Sequence, residues 1–196
     1  MQPIPAPRAD GMTGSTAVPL YWCAYGEPGK PKMLVMHGGP GADHRYLLPQ
    51  MLHLARNNEM IFFDQRGGGR SRERDNSPIT WQTHVEDMAA VIRELELEPL
   101  TLVGYSFGGL LSLLYALEAS ENPAMPQPRR MVLIDPAPVT RTWRSQFEAE
   151  FSRRLKSDSV EQLRAQLNAS GLRDRDPDAY KQRAFEISVA AYFADP

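Results

Sequence analysis

Short apolar runs alternate along this chain with longer stretches whose apolar residues recur every three or four positions. Runs at 20–25, 33–36, 60–63, 100–103 and 131–134 each predict a strand, bounded by turn-forming glycines, prolines or charged residues. Between them, apolar positions 47, 48, 51, 52 and 54 predict a moderately amphipathic helix over 47–56. Ser77-Pro78 breaks the chain, and Trp81, Val85, Met88, Ile92 and Leu95 then form a second helical stripe, which Pro99 ends. After Gly109 comes an apolar run long enough for a buried helix. Strands that are apolar throughout and alternate with helices predict an α/β domain: a mostly parallel sheet with helices on both faces.

From Trp143 onward the pattern predicts helices only. Trp143, Phe147, Phe151 and Leu155 lie on one face of the first; Ser159 with Gln162 reads as a capping box for the second. Asp176 and Pro177 read as N-cap and first-turn proline of a third, which carries Tyr180, Ala184, Ile187 and Ala191. Amphipathic helices without intervening strands predict a partial lid over 141–196, with the aromatic stripes as packing surface. Residues 1–17, with Pro3, Pro5, Pro7, Gly11 and Gly14 and few large apolar groups, predict a loose arm ahead of a core at 18–140. No segment repeats.

The strand ends carry the chemistry. Gly104-Tyr105-Ser106-Phe107-Gly108-Gly109 sits between a strand and a helix, where a serine can be lifted clear of the sheet on a strained turn. Ser106 is the candidate nucleophile. His37-Gly38-Gly39-Pro40-Gly41 follows an earlier strand; it is either a tight connection or a loop whose backbone N–H groups face an oxyanion. Asp64 to Ser71 forms a third glycine-rich loop. It lacks the Lys-Ser/Thr pair of a nucleotide loop, so a structural loop pinned by an Asp64–arginine ion pair is expected. His84 is expected at the surface or in packing.

Composition narrows the function classes. The 196 residues carry a formal net charge of −2, which predicts no electrostatic attraction to nucleic acid or to an anionic membrane. The single Cys23 excludes an internal disulfide and a cysteine-based zinc cluster. No apolar run approaches a membrane span, and the proline-rich start lacks the apolar core of a secretory signal, so the default location is cytoplasmic. A dinucleotide-binding fold would need a Gly-x-Gly-x-x-Gly and a later acidic residue, and neither surrounds Ser106.

Taken together and in order, the three loop motifs resemble the α/β-hydrolase superfamily, and within it the prolyl iminopeptidase-type serine aminopeptidases. The resemblance covers about residues 20 to 138, and the helical tail is similar to the start of that family's cap. It implies an acyl-enzyme at Ser106 and an oxyanion hole from the N–H groups of Gly39 and Phe107. It also implies a peptide or small amide or ester as substrate, no metal or cofactor, and an acidic cap group, Glu186, for the substrate's free amine. The elbow departs from the Gly-Gly-Ser-Trp-Gly type more usual in that branch, which leaves esterase or other amidase activity open.

A serine hydroxyl needs an imidazole to take its proton and a carboxylate to orient that imidazole. In this fold both follow the serine in the chain. Here His37, His44, His53 and His84 all precede Ser106. Asp135, closing the strand after the elbow, stands where some α/β-hydrolases keep the acid, and otherwise is a loop-closing carboxylate. The expectation is an incomplete hydrolase core that is inactive alone. Three explanations stay open: a missing C-terminal portion or partner chain covering an open sheet edge, a non-catalytic binding protein, and an upstream histidine such as His37 or His44 acting as base.

Overall fold

A computed structural model describes residues 4–71 and 78–193. Six strands form one sheet: β1 (Ala9–Met12), β2 (Tyr21–Tyr25), β3 (Lys32–Met36), β4 (Glu59–Phe63), β5 (Leu100–Tyr105) and β6 (Pro128–Ile134). Their order is β1-β2-β4-β3-β5-β6. β3 runs parallel to β4 and β5, and β5 parallel to β6, while β1 and β2 are antiparallel additions at the opposite edge.

Side chains of a strand alternate between faces, and that alternation divides the core in two. Leu34, Met36, Ile61, Phe63 and Leu102 point to one face, under α2 (Trp81–Glu94) and α3 (Phe107–Glu121), which contribute Met88, Ile92, Leu111 and Tyr115. Val35, Met60, Phe62 and Val103 point to the other, against Leu47, Leu48 and Met51. A strand buried on both faces has no polar side to show, which is why these segments read as unbroken apolar runs. α2 begins at Thr80, whose side chain accepts from the Thr83 N–H in a reciprocal capping box.

Several local expectations are corrected. Residues 9–12 of the expected loose arm form β1, in register with β2 from Ala9↔Ala24 to Met12↔Tyr21. This edge strand is held by backbone hydrogen bonds and the Glu94 carboxylate caps the N–H groups of Gly14 and Ser15, so it needs no apolar pattern. The helix expected over 47–56 is a single α-turn, α1 (Leu48–Met51, with Pro49 in its first turn), between two 3₁₀ stretches, His44–Leu47 and Leu52–Arg56. The break expected at Ser77-Pro78 falls partly outside the described residues, since Ser77 is not among them.

The chain divides into two compact units between Ala137 and Pro138. The second holds α4 (Arg141–Leu155), α5 (Asp158–Ala169), α6 (Leu172–Arg175) and α7 (Pro177–Ser188). Asp176 caps α7 as expected, accepting from the Ala179 N–H at 3.0 Å. The capping box at Ser159 is not formed: the N-cap of α5 lies two residues earlier, at Ser157. Phe147, Phe151 and Tyr192 make a ring cluster, Phe151 and Tyr192 having centroids 4.6 Å apart.

In the first unit, β6 has one strand neighbour among the described residues, β5. Met131, Val132 and Leu133 are 37–47% exposed there, although their sequence is as apolar as that of the central strands. The open apolar edge expected of the last strand is present. No helix among the described residues is long and apolar enough to cross a membrane.

Candidate active site

Ser106 joins β5 to α3 with φ 52° and ψ −117°, a left-handed conformation that a non-glycine residue adopts only when its surroundings impose it. Backbone bonds to both sides of the turn impose it here. Its N–H donates to Ile134 O (3.0 Å), and its carbonyl accepts from Gly109 (2.9 Å) and Ala137 (2.9 Å). The motif's glycines provide the space: a Cβ on Gly104 would sit 2.6 Å from Gly108 O and Gly109 Cα, and one on Gly108 would sit 2.4 Å from Met36 O. The turn is thus wedged between the ends of β3 and β6, and the Ser106 side chain stays half-exposed with no hydrogen-bond partner among the described residues.

The loop after β3 lies against this turn. A Cβ on Gly38 would be 3.1 Å from Ser106 Cβ and 2.9 Å from the Tyr46 hydroxyl. That hydroxyl accepts from the Gly38 N–H at 2.6 Å. His37 is fully buried beneath the loop: Nδ1 donates to Gly38 O (2.6 Å), Nε2 accepts from the Gln65 N–H (3.0 Å), and the Gln65 side-chain amide donates to His37 O (2.6 Å). Burial holds the His37 imidazole below its usual basicity, so it is a neutral strut with both nitrogens used. In contrast, the N–H groups of Gly39 and Phe107 have no acceptor among the described residues.

Among the described residues Asp64 is paired with no arginine side chain, contrary to expectation. Its carboxylate accepts from His44 Nδ1 (2.7 Å), the His44 N–H (3.0 Å) and the Arg70 N–H (2.8 Å), tying two loops together. Burial pushes this carboxyl up, but the hydrogen bonds from His44 and Arg70 outweigh it and hold it below the ordinary value. Arg66, the other arginine of the loop, pairs with Asp87 on α2 at 2.7 and 2.9 Å. Sequence spacing cannot choose between such partners, because loop arginines reach several carboxylates.

A Cys23–His44–Asp64 array also emerges that no spacing announced. Cys23 Sγ lies 3.3 Å from His44 Nε2, on the far side of the ring from Asp64. It has the connectivity of a thiol, base and acid, but Cys23 and His44 are sealed in the core, and burial first, with the nearby Asp64 charge, pushes the thiol up to about 12. It is a structural relay. Asp43, His44 and Asp64 bring ligand-type atoms within 4.8 Å of one another, and in this structure those atoms serve the same loop contacts.

The remaining candidates separate. His44 has both ring nitrogens engaged, so neither it nor His37 is placed to serve Ser106. His53 is exposed on the 3₁₀ stretch that follows α1. His84 is buried in packing, edge-on to the Phe107 ring with centroids 5.7 Å apart. Asp135 is exposed at φ 42°, in the segment whose Ile134 O and Ala137 N clamp the elbow. Glu186, in the second unit, is an exposed residue of α7 that accepts from Gln182 (3.0 Å) and Arg183 (2.7 Å), bonds that lower its pKa.

A serine raised on a strained strand-to-helix turn, at the end of a mostly parallel sheet and beside free backbone donors, defines an α/β-hydrolase. Residues 31–173 match the sequence profile described as "alpha/beta hydrolase fold", and the chain belongs to that family. More particularly, it is similar to a proline iminopeptidase of Lacticaseibacillus rhamnosus, 31% identical over 61% of this chain and 40% of that protein. A second, from Thermoplasma volcanium, is 33% identical over 56% of this chain and 38% of its own length. The crystal structure of a proline iminopeptidase-related protein from Thermus thermophilus superposes with a TM-score of 0.58 at 28% identity, covering 65% of this chain and 44% of that one. The chain thus spans about 40% of the length of the curated relatives it matches.

Proposed function

We propose that this chain carries the nucleophile and oxyanion half of a serine hydrolase that releases N-terminal residues, proline among them, from peptides and amides. The observation that carries the reading is Ser106, held at φ 52° beside the acceptorless N–H groups of Gly39 and Phe107. The Ser106 Oγ attacks the scissile carbonyl carbon, and the carbonyl oxygen, now anionic, is received by those two N–H groups. Collapse of the tetrahedral species expels the amine and leaves an ester on Ser106, which water then hydrolyses. The base that takes the Ser106 proton and returns it to the leaving nitrogen comes, with its orienting acid, from polypeptide outside residues 1–196. The imidazoles of His37 and His44 are both committed elsewhere, and the exposed β6 edge offers a place for such polypeptide to pair. Asp135 then closes the loop that holds the elbow. The chemistry needs no cofactor, and the site works in the cytoplasm.

A second reading, an esterase or amidase of the same fold, is favoured by the Tyr105-Ser106-Phe107 elbow, which departs from the aminopeptidase type. Residues 1–196 assayed with a proline arylamide and a short aryl ester are expected to give no turnover beyond background. Joined to polypeptide that supplies the imidazole, they are expected to hydrolyse the arylamide, with Ser106→Ala costing roughly 10⁴-fold or more. Ordinary enzyme rates from residues 1–196 alone, abolished by Ser106→Ala, would overturn the need for an outside base. Ester hydrolysis without arylamide hydrolysis would move the function to the second reading.

A further inference from the structure

The pole of the sheet opposite Ser106 carries an open cleft that the chemistry above does not use. It encloses about 560 Å³, inside the ordinary range of small-molecule sites, about 300–1,000 Å³. Lys30, Lys32, Glu98, Thr101, Arg129 and Arg130 line it. Parallel strands have their starts on one side, so residues from the beginnings of β3, β5 and β6 meet there although the sequence keeps them far apart. β5 runs from this cleft to Ser106, roughly 17 Å at about 3.3 Å per residue, which separates the two places.

A fault in register explains how two consecutive arginines share one wall. Leu100 lies opposite Pro128 but Thr101 lies opposite Arg130, so Arg129 is an extra residue in β6. Successive side chains of a regular strand face opposite sides, and a bulge breaks that alternation and re-aims the side chain. Both arginines are exposed, and neither has a hydrogen-bond or ion-pair partner among the described residues. The lysines are pinned by main-chain oxygens. Lys32 Nζ donates to Leu95 O (3.3 Å) and Glu96 O (2.8 Å) at the end of α2, and Lys30 Nζ donates to Arg56 O (2.6 Å) and pairs with Glu27 (2.9 Å). An ammonium group has three N–H donors, so each lysine keeps one for a ligand. Of the charged residues lining the cleft, four are cations and Glu98 is the one anion.

We propose that this cleft binds a diphosphate group, free or carried on an organic molecule. A guanidinium fork matches a phosphate bidentately, and two adjacent forks match two linked phosphates. The lysine ammonium groups are fixed before the ligand arrives, so they add charge without a further loss of rotamer freedom. Both the volume and the paired forks exceed what a single phosphate occupies. At its distance from Ser106 the diphosphate is not the group that is hydrolysed, and the inference stands independently of the proposed function.

The test is binding, which needs no outside base. Residues 1–196 are titrated by calorimetry, at constant ionic strength, with inorganic pyrophosphate, ADP, orthophosphate and sulfate. Pyrophosphate is expected to bind at least about tenfold tighter than orthophosphate or sulfate. ADP separates the sources: binding tighter than pyrophosphate marks an organic diphosphate, and weaker binding marks the free anion. Arg129→Gln with Arg130→Gln is expected to weaken pyrophosphate about tenfold or more, and Arg129→Lys with Arg130→Lys, which keeps the charge and loses the forks, about fivefold. Glu98→Gln is expected to tighten it about threefold. Arg141→Gln, at an exposed arginine of the second unit, leaves it unchanged. Because Arg129 and Arg130 are exposed and without partners, their variants are expected to melt with the native chain. No binding of pyrophosphate, equal affinity for pyrophosphate and sulfate, or full affinity in the lysine pair would overturn the proposal, the last two by reducing the cleft to diffuse charge.

Discussion

Gly108→Val is expected to unfold the first unit instead of merely silencing the elbow. A Cβ at that position would lie 2.4 Å from Met36 O, 2.6 Å from His37 O and 2.7 Å from Met36 C, all backbone atoms where β3 leaves the sheet. A flexible side chain can swing away from an intruder, whereas the end of a central strand moves only with its neighbours β4 and β5. Overpacking of an ordinary core costs about 1–3 kcal/mol. With the obstacle made of backbone and two further methyl groups to place, the loss is expected at about 3 kcal/mol or more, a large share of a typical domain's stability. Gly14→Ala serves as the control, since a Cβ there meets nothing within 4 Å. Thermal melts followed by circular dichroism decide it: equal midpoints for the two variants would show that β3 and α3 are less tightly wedged than their distances say.

Asp64→Ala is expected to cost about 3–5 kcal/mol, because it strips the acceptor from three donors at once, two of them buried on His44. The same carboxylate gives stability a pH dependence whose sign is fixed. Its folded pKa lies below its ordinary 3.8, so its contribution is complete above that value and disappears as pH falls through the folded pKa. His37 and His84 act earlier on the same descent. Both have folded pKa values below the ordinary 6.5, so the unfolded chain takes up protons first and stability declines as pH drops beneath that value. Urea midpoints measured from pH 7 to pH 3 should therefore fall in two stages for the native sequence. Asp64→Ala should keep the first stage and flatten the second. A variant with the native profile throughout would mean that Asp64 is not the acid-sensitive group.

What was legible in the sequence follows from these energetics. The strands that carry the core, from Leu34 to Val103, announce themselves because burial on both faces excludes polar residues. β1 was illegible, since it is held through backbone groups and the Glu94 carboxylate, which leave no mark on the side-chain pattern. Ser106 could be read from its glycines, which are there because the Met36 and Gly109 backbones leave no room for a Cβ. The partners of Asp64 could not be read. His44 is twenty positions away and Arg70 donates through its main chain, so neither residue type nor spacing singles them out. His84, expected at the surface or in packing, is in packing, and its position beside Phe107 depends on how α2 lies on the sheet.

The loop that faces Ser106 has one more property, visible on the timescale of hydrogen exchange. Gly38 and Gly39 are consecutive, yet the Gly38 N–H is tied to the Tyr46 hydroxyl and the Gly39 N–H is tied to nothing described. In deuterated water the first amide is expected to exchange only when its bond to the Tyr46 hydroxyl opens, and the second within the time of ordinary solvent contact. That contrast between neighbours would show that the order of the Gly38 side of the loop is built in by folding, through one side-chain hydroxyl eight residues further on.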